Sequence, residues 1–220
     1  MPRRSLNPKD YPPAGGVWTY EEYMKLPVEN TRYEVIAGQL YITPTPPTLH
    51  QAIAGPFLAA LYQQVEEEHQ LGFIVPGPID VLFGEGDFIE PDVVFVRRDR
   101  QDVLTDRGIE GTPDLIVEFI APETAERDRG LKRERYAHFG VPEYWVVDGE
   151  ARTLEIYRLD HPMPEFPEVV TGSWTWQPIS NGPVVEMNLP KLLEKHDELK
   201  RMFERNKRRS FDARPSVSGD

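Results

Sequence analysis

Two short apolar runs carry acids where a buried strand tolerates none: Ile89-Glu90-Pro91-Asp92-Val93-Val94-Phe95-Val96 and Pro113-Asp114-Leu115-Ile116-Val117-Glu118-Phe119-Ile120. An unpaired charge in such a strand is costly, so Asp92 and Glu118 must share a cation or hydrogen-bonded partners. A third run, Asp128-Arg129-Gly130-Leu131-Lys132-Arg133-Glu134-Arg135-Tyr136, follows at once and puts a lysine on the first turns of a helix. Two acids on adjacent strands with a lysine nearby are the groups that metal-dependent phosphodiester hydrolysis requires. Mg²⁺ keeps several waters and is held by one or two carboxylates, so Asp92 and Glu118, with the carbonyl of Phe119, suffice as protein ligands. The ion would polarise the scissile phosphate and lower the pKa of a bound water, while Lys132 orients that water or neutralises the transition state.

Each residue also has a plainer role open to it. Asp92 can cap a turn after Pro91. Glu118 can be the buried ion partner of Arg127 or Lys132. Lys132 and Asp128 can form an exposed pair four residues apart, worth only a few tenths of a kcal/mol. Asp80, in Ile79-Asp80-Val81-Leu82-Phe83, is either an acid supporting the site or a solvated strand-edge residue. Tyr136 is expected to pack its ring on the sheet and to reach the site only through its hydroxyl. His50 and Gln51 start a helix and stay outside the assigned set.

Positioning these groups requires a mixed sheet with a helix packed on it. Thr19-Tyr20-Glu21-Glu22 predicts a capping box and a short helix to Leu26. Arg32-Tyr33-Glu34-Val35-Ile36 and Gln39-Leu40-Tyr41-Ile42, parted by Ala37-Gly38, predict a hairpin. Over residues 49–70, Ile53, Phe57, Leu58, Leu61 and Val65 recur at helical spacing, with Pro56 predicting a kink or a late start. Residues 79–83 and 88–96, joined by Gly84-Glu85-Gly86-Asp87, predict a second hairpin, and residues 98–112 a long polar loop. The strand at 114–120 leads into a helix over about 124–139 that Gly140 and Pro142 stop. Residues 143–148 and 153–158 then complete the sheet as a further hairpin. A strand, helix, strand unit within one sheet makes 114–120 and 143–148 parallel. Trp174 and Trp176 fall in peripheral hairpin structure within 160–187, and an amphipathic helix spans 189–205.

Composition sets the outer limits. At 220 residues without repeats, one domain with a tail is expected: an arm over 1–16, a domain over 17–198, and a basic, largely disordered tail over 199–220. The absence of cysteine removes disulfides, zinc ribbons and thiol nucleophiles from consideration. No segment approaches the run of about 18 apolar residues that a membrane span needs, so a cytoplasmic protein without membrane contact is expected. The formal charge of −12 argues against strong nonspecific nucleic-acid binding. Six bases against one acid between Lys200 and Arg209 show that the acidity is uneven.

Tyr33-Glu34-Val35-Ile36-Ala37-Gly38, His50-Gln51, Pro91-Asp92-Val93-Val94-Phe95-Val96, Asp114-Leu115-Ile116-Val117-Glu118, Asp128 with Lys132 and Tyr136, and residues 140–148 occur in that order. Together they resemble the Uma-two family of the restriction-endonuclease-like, PD-(D/E)xK superfamily over roughly residues 17–195. The resemblance implies an α/β fold with a restriction-endonuclease-like core: a four-stranded mixed β-sheet flanked by helices, here with peripheral hairpins and a C-terminal helix. It implies Mg²⁺ or Mn²⁺ as cofactor, nucleic acid and chiefly DNA as substrate, and a homodimer that cuts two strands with two sites. Glu34 resembles the extra acid that such enzymes bring from an N-terminal element. The superfamily lysine belongs two residues after the second acid, where this chain has Ile120. The family's answer is a lysine moved to the next helix, which is Lys132, so the implied catalytic set is Glu34, Asp92, Glu118 and Lys132, with Asp80, Asp128 and Tyr136 around it. Two other functions compete: a catalytically silent nuclease-like fold serving as an interaction or nucleic-acid-binding module, and a metal-independent hydrolase using paired carboxylates.

Overall fold

The computed structural model describes residues 16–27, 31–84, 86–159 and 166–212. The expected arm over 1–15, Glu85 of the predicted turn, residues 160–165 and the terminus over 213–220 lie outside them. In chain order the elements are α1 (Tyr20–Tyr23), β1 (Thr31–Ile36), β2 (Gln39–Pro44), α2 (Thr48–Leu61) with a π-helical extension Tyr62–Glu68, β3 (Gly72–Pro76), β4 (Val81–Gly84), β5 (Asp87–Ile89) and β6 (Val93–Arg97). Next come β7 (Leu104–Thr105), β8 (Gly108–Glu110), β9 (Leu115–Phe119), and a helix made of α3 (Ala125–Arg127), a π-helical turn Asp128–Lys132 and α4 (Arg133–His138). The chain ends with β10 (Glu143–Asp148), β11 (Thr153–Arg158), β12 (Glu168–Val170), β13 (Ser173–Trp176), β14 (Val185–Asn188), α5 (Leu189–Leu192) and α6 (Glu194–Asp212).

Two six-stranded sheets result, ordered β2-β1-β5-β4-β8-β7 and β12-β11-β10-β9-β6-β3, with β13-β14 as a separate hairpin. β9 and β10 are parallel, as the crossover predicts, while β6 meets β9 antiparallel with Val93 opposite Val117. Period-2 alternation divides β9 between two environments. Leu115, Val117 and Phe119 enter the large core with Phe57 and Leu61 of α2, Trp145, Trp174 and Trp176. Ile116 joins the other face with Tyr136, Tyr144, Val146 and, from the first sheet, Ile36 and Ile89. Glu118 shares that second face, and the helix over 125–138 covers it.

Several expectations need correction. Residues 88–96 do not make one strand: the chain leaves the first sheet after Ile89 and enters the second at Val93. Pro91 has no N–H to give to a ladder, so the run breaks there. The four-stranded sheet is widened at both edges, by β12 on one side and on the other by β3, a five-residue apolar run too short to show a period. Residues 98–112 contain a 3₁₀ turn, Arg98–Val103, and the β7–β8 hairpin, whose strands of two and three residues are too brief for alternation to be read. α2 starts at Thr48 and carries Pro56 inside it, so the late start does not occur. The last helix runs past its expected end at 205, and residues 206–212 of the expected disordered tail continue α6, which packs on α2.

Candidate active site

Asp92 owes its position to the break at Pro91. Gly77 donates its N–H to the Asp92 carbonyl at 2.7 Å, an approach that only glycine permits, since a Cβ there would collide with the Pro91 carbonyl. Arg32 of β1 fastens both sides of the break: Nε reaches Glu90 Oε2 at 3.2 Å, Nη1 reaches Asp92 Oδ1 at 3.1 Å, and Nη2 donates to the Glu90 carbonyl. Asp92 Oδ2 pairs with His50 Nε2 at 3.0 Å and accepts the Phe119 amide at 2.9 Å. Burial alone would raise the Asp92 pKa, but His50, Arg32 and the Phe119 amide outweigh it and hold the carboxyl at about 2.

The β6–β9 register, continued one residue beyond Val93 and Val117, sets Asp92 across from Glu118. Glu118 Oε1 accepts from Lys132 Nζ at 2.8 Å and from the Tyr136 hydroxyl at 3.1 Å. Lys132 also meets Glu34 Oε1 at 2.6 Å, with Asp128 Oδ1 3.7 Å away. Residues four apart on a helix share a face, and here Asp128, Lys132 and Tyr136 all turn inward and are buried. The π-helical turn Asp128–Lys132 lies within this stripe, a local irregularity frequent at functional sites. The reading of Lys132 and Asp128 as an exposed pair is excluded by their burial of 2% and 3% exposure.

Too few cations serve these acids. Burial pushes the Glu118 carboxyl up to about 8; Lys132 opposes the shift, and Asp92, Asp128 and Glu34 add to it. Lys132 stays protonated because Glu118, Glu34 and Asp128 together outweigh its desolvation. Burial likewise raises Asp128, against Lys132, Thr124 and Arg127. Glu34 holds a third element in place by accepting the Glu90 amide at 3.2 Å, and its Oε2 faces Arg127 Nη2 at 3.3 Å.

A cavity of about 70 Å³ is lined by Asp92, Glu118, Glu34, Asp128 and Lys132, with Arg32, His50 and Arg127 on its walls. Asp92 and Glu118 therefore share one space. Among the described residues no three acids or histidines form a closed metal cage. The donor chemistry nevertheless fits Mg²⁺ or Mn²⁺, which bind through one or two carboxylates, waters and substrate phosphates. Buried Asp128 Oδ1 has no hydrogen-bond partner, and the bonds from Lys132 and Tyr136 both fall on Glu118 Oε1, so neither occupies Oε2.

The profile of the Uma2 family, described as "Putative restriction endonuclease", matches residues 20–187. This chain belongs to the Uma2 family. Among solved structures, the Uma2 chain is similar to the crystal structure of "a putative nuclease belonging to DUF820 from Anabaena variabilis", at 18% identity and a TM-score of 0.66. The match covers 81% of this chain and 99% of that one, and it shows the shared fold. No curated protein matches the chain. The Uma2 chain is thus an α/β protein that shares the fold of that structure, and none of its described helices is long and apolar enough to cross a membrane.

Asp80 stands apart from this cluster. It lies 3.1 Å from the Tyr20 hydroxyl and 3.0 Å from the Tyr23 hydroxyl, which also lies 2.9 Å from Glu90, so the single Tyr23 proton serves one of the two acids at a time. It touches the site only through the Tyr23, Glu90 and Arg32 relay. Of the wall residues, Arg32 escaped the sequence reading, His50 was named but left outside the assigned set, and Arg127, weighed as an ion partner of Glu118, meets Glu34 instead. Arg32 was legible in principle, because it lies two residues from Glu34 on the same strand face. The partners of His50 and Arg127, Asp92 and Glu34, carried no local signal, since both contacts join distant segments.

Proposed function

We propose that this Uma2 protein is a divalent-metal-dependent endonuclease that hydrolyses phosphodiester bonds, with DNA as substrate. The observation that carries the reading is the convergence of Asp92, Glu118, Glu34 and Lys132 on one cavity, with the lysine supplied from the helix. Asp92 and Glu118 would hold Mg²⁺ or Mn²⁺, which supplies charge neutralisation at the phosphate and an acidified water. Lys132 keeps a positive charge among the carboxylates, where it can stabilise the negative charge growing on the phosphate. Glu34 steers that ammonium, and Tyr136 fixes the Glu118 side chain. Arg127 and Arg32 stand on the cavity wall, paired with Glu34 and with Glu90 and Asp92.

Two strands demand two cuts, so we further propose that the chain works as a homodimer, which light scattering of the full chain tests. The activity test incubates the full-length protein with supercoiled plasmid, single-stranded DNA and RNA of the same sequence. Cleavage of DNA in Mg²⁺ or Mn²⁺, abolished by EDTA, is expected. Cleavage of RNA alone would reassign the substrate, and cleavage that persists in EDTA would point to the paired-carboxylate hydrolase. Metal binding without cleavage of any of the three would favour the silent nuclease-like module.

A further inference from the structure

His50 sits at the start of α2, and its side chain is only 8% exposed. Its Nε2 lies 3.0 Å from Asp92 Oδ2, and its ring packs edge-on against Phe119 with centroids 5.7 Å apart. Phe119 in turn gives its amide to the same Oδ2 and is held edge-on by Phe57 of the main core. Thus the ring and the amide that grip Oδ2 are braced by one another.

A carboxylate offers about four lone-pair positions, two on each oxygen. On Asp92, His50 and the Phe119 amide use both positions of Oδ2, and Arg32 uses one on Oδ1. One acceptor position remains, and it is on Oδ1. We propose that His50 is a positioning residue that donates from Nε2–H to Asp92 Oδ2 and so presents Asp92 Oδ1 to the divalent cation, an inference that rests on the metal-dependent reading above. Both Asp92 oxygens already accept, Oδ1 from Arg32 and Oδ2 from the Phe119 amide, so the 3.0 Å contact sets Nε2 against Oδ2 as a further donor. His50 Nδ1 is buried with no hydrogen-bond partner among the described residues. A histidine kept only for packing would have no reason to leave one ring nitrogen unsatisfied at the wall of a polar cavity, since such an atom carries an uncompensated desolvation cost. Partners that orient a metal ligand from behind are commonly worth about 10–100-fold in metal affinity.

The test is calorimetric titration of Mn²⁺ into the metal-free full chain, alongside its urea midpoint, for the unaltered protein and for His50→Ala, His50→Gln and His50→Asn. Glutamine can set its amide nitrogen where Nε2 stands, whereas asparagine reaches only the Nδ1 position. His50→Ala should weaken Mn²⁺ binding by about 10–100-fold. His50→Gln should restore most of that loss, and His50→Asn should not. Should His50→Ala fail to fold, the comparison of the Gln and Asn variants decides: Gln must bind clearly tighter at matched urea midpoints. Equal affinity of those two variants, or His50→Ala binding within twofold of the unaltered chain, overturns the inference and leaves the nuclease reading standing. Absence of Mn²⁺ binding in the unaltered chain overturns both.

Discussion

Lys132 Nζ and Glu34 Oε1 meet at 2.6 Å, joining the helix that covers the second sheet to a strand of the first. Both side chains are nearly sealed from solvent, and the same ammonium serves Glu118 at 2.8 Å. One cation therefore ties together three segments of the site.

Replacing Lys132 by methionine separates its two roles. Glu34, Glu118 and Asp128 would lose their shared ammonium, and breaking a buried pair from one side costs about 3–5 kcal/mol. The urea midpoint of the metal-free chain should fall accordingly. Because the substitution leaves more negative charge in the cavity, Mn²⁺ affinity should hold or rise while turnover drops. Parallel losses of affinity and turnover would show that the lysine acts through the fold alone.

Asp92→Ala and Glu118→Ala should each abolish metal-dependent cleavage with the far-ultraviolet dichroism unchanged. Each removes one of the two carboxylates proposed to hold the ion, and Glu34 and Asp128, which line the same cavity, are turned towards Lys132. Retained cleavage in both variants, measured on supercoiled plasmid, would remove these residues from the chemistry.

Stability should depend on pH through Glu118. Its carboxyl titrates near 8 in the fold, against an ordinary value of 4.5. Between those values the native chain holds a proton that the unfolded chain has released, so stability falls as pH rises, by at most about 1.4 kcal/mol per pH unit. Asp92 acts in the opposite direction at lower pH: held at about 2 against 3.8, it contributes stability above pH 4 that is lost as pH falls towards 2. Urea denaturation in EDTA at pH 5, 6, 7 and 8 should show the Glu118 decline, and Glu118→Gln should flatten it. An equal slope in both proteins would mean that Glu118 is ionised throughout the range.

Much of this arrangement is visible along the chain. Acids inside apolar runs flagged Asp92 and Glu118 because burial of a charge demands compensation, and the spacing of four brought Asp128, Lys132 and Tyr136 onto one stripe. The parallel pairing of β9 with β10 followed from the intervening helix. The break at Pro91 was harder to read, since a missing N–H can mark a strand edge, a bulge or a change of sheet. β3, β7 and β8 are too short for any periodic signal, so only their pairing partners define them as strands.

Residue types and local periodicity determined by themselves the mixed α/β class, the helix and strand that carry Lys132 and Glu118, and the need of the buried acids for compensating partners. Tertiary structure alone decided that Asp92 is gripped by Arg32, His50 and the Phe119 amide, that Glu34 shares Lys132 with Glu118, and that Asp80 belongs to a separate tyrosine cluster. The physical reason is that periodicity reports which face a side chain takes within its own element. Which partner waits on that face depends on sheet register and on the packing of two sheets about one helix, and neither is encoded by neighbours in the chain.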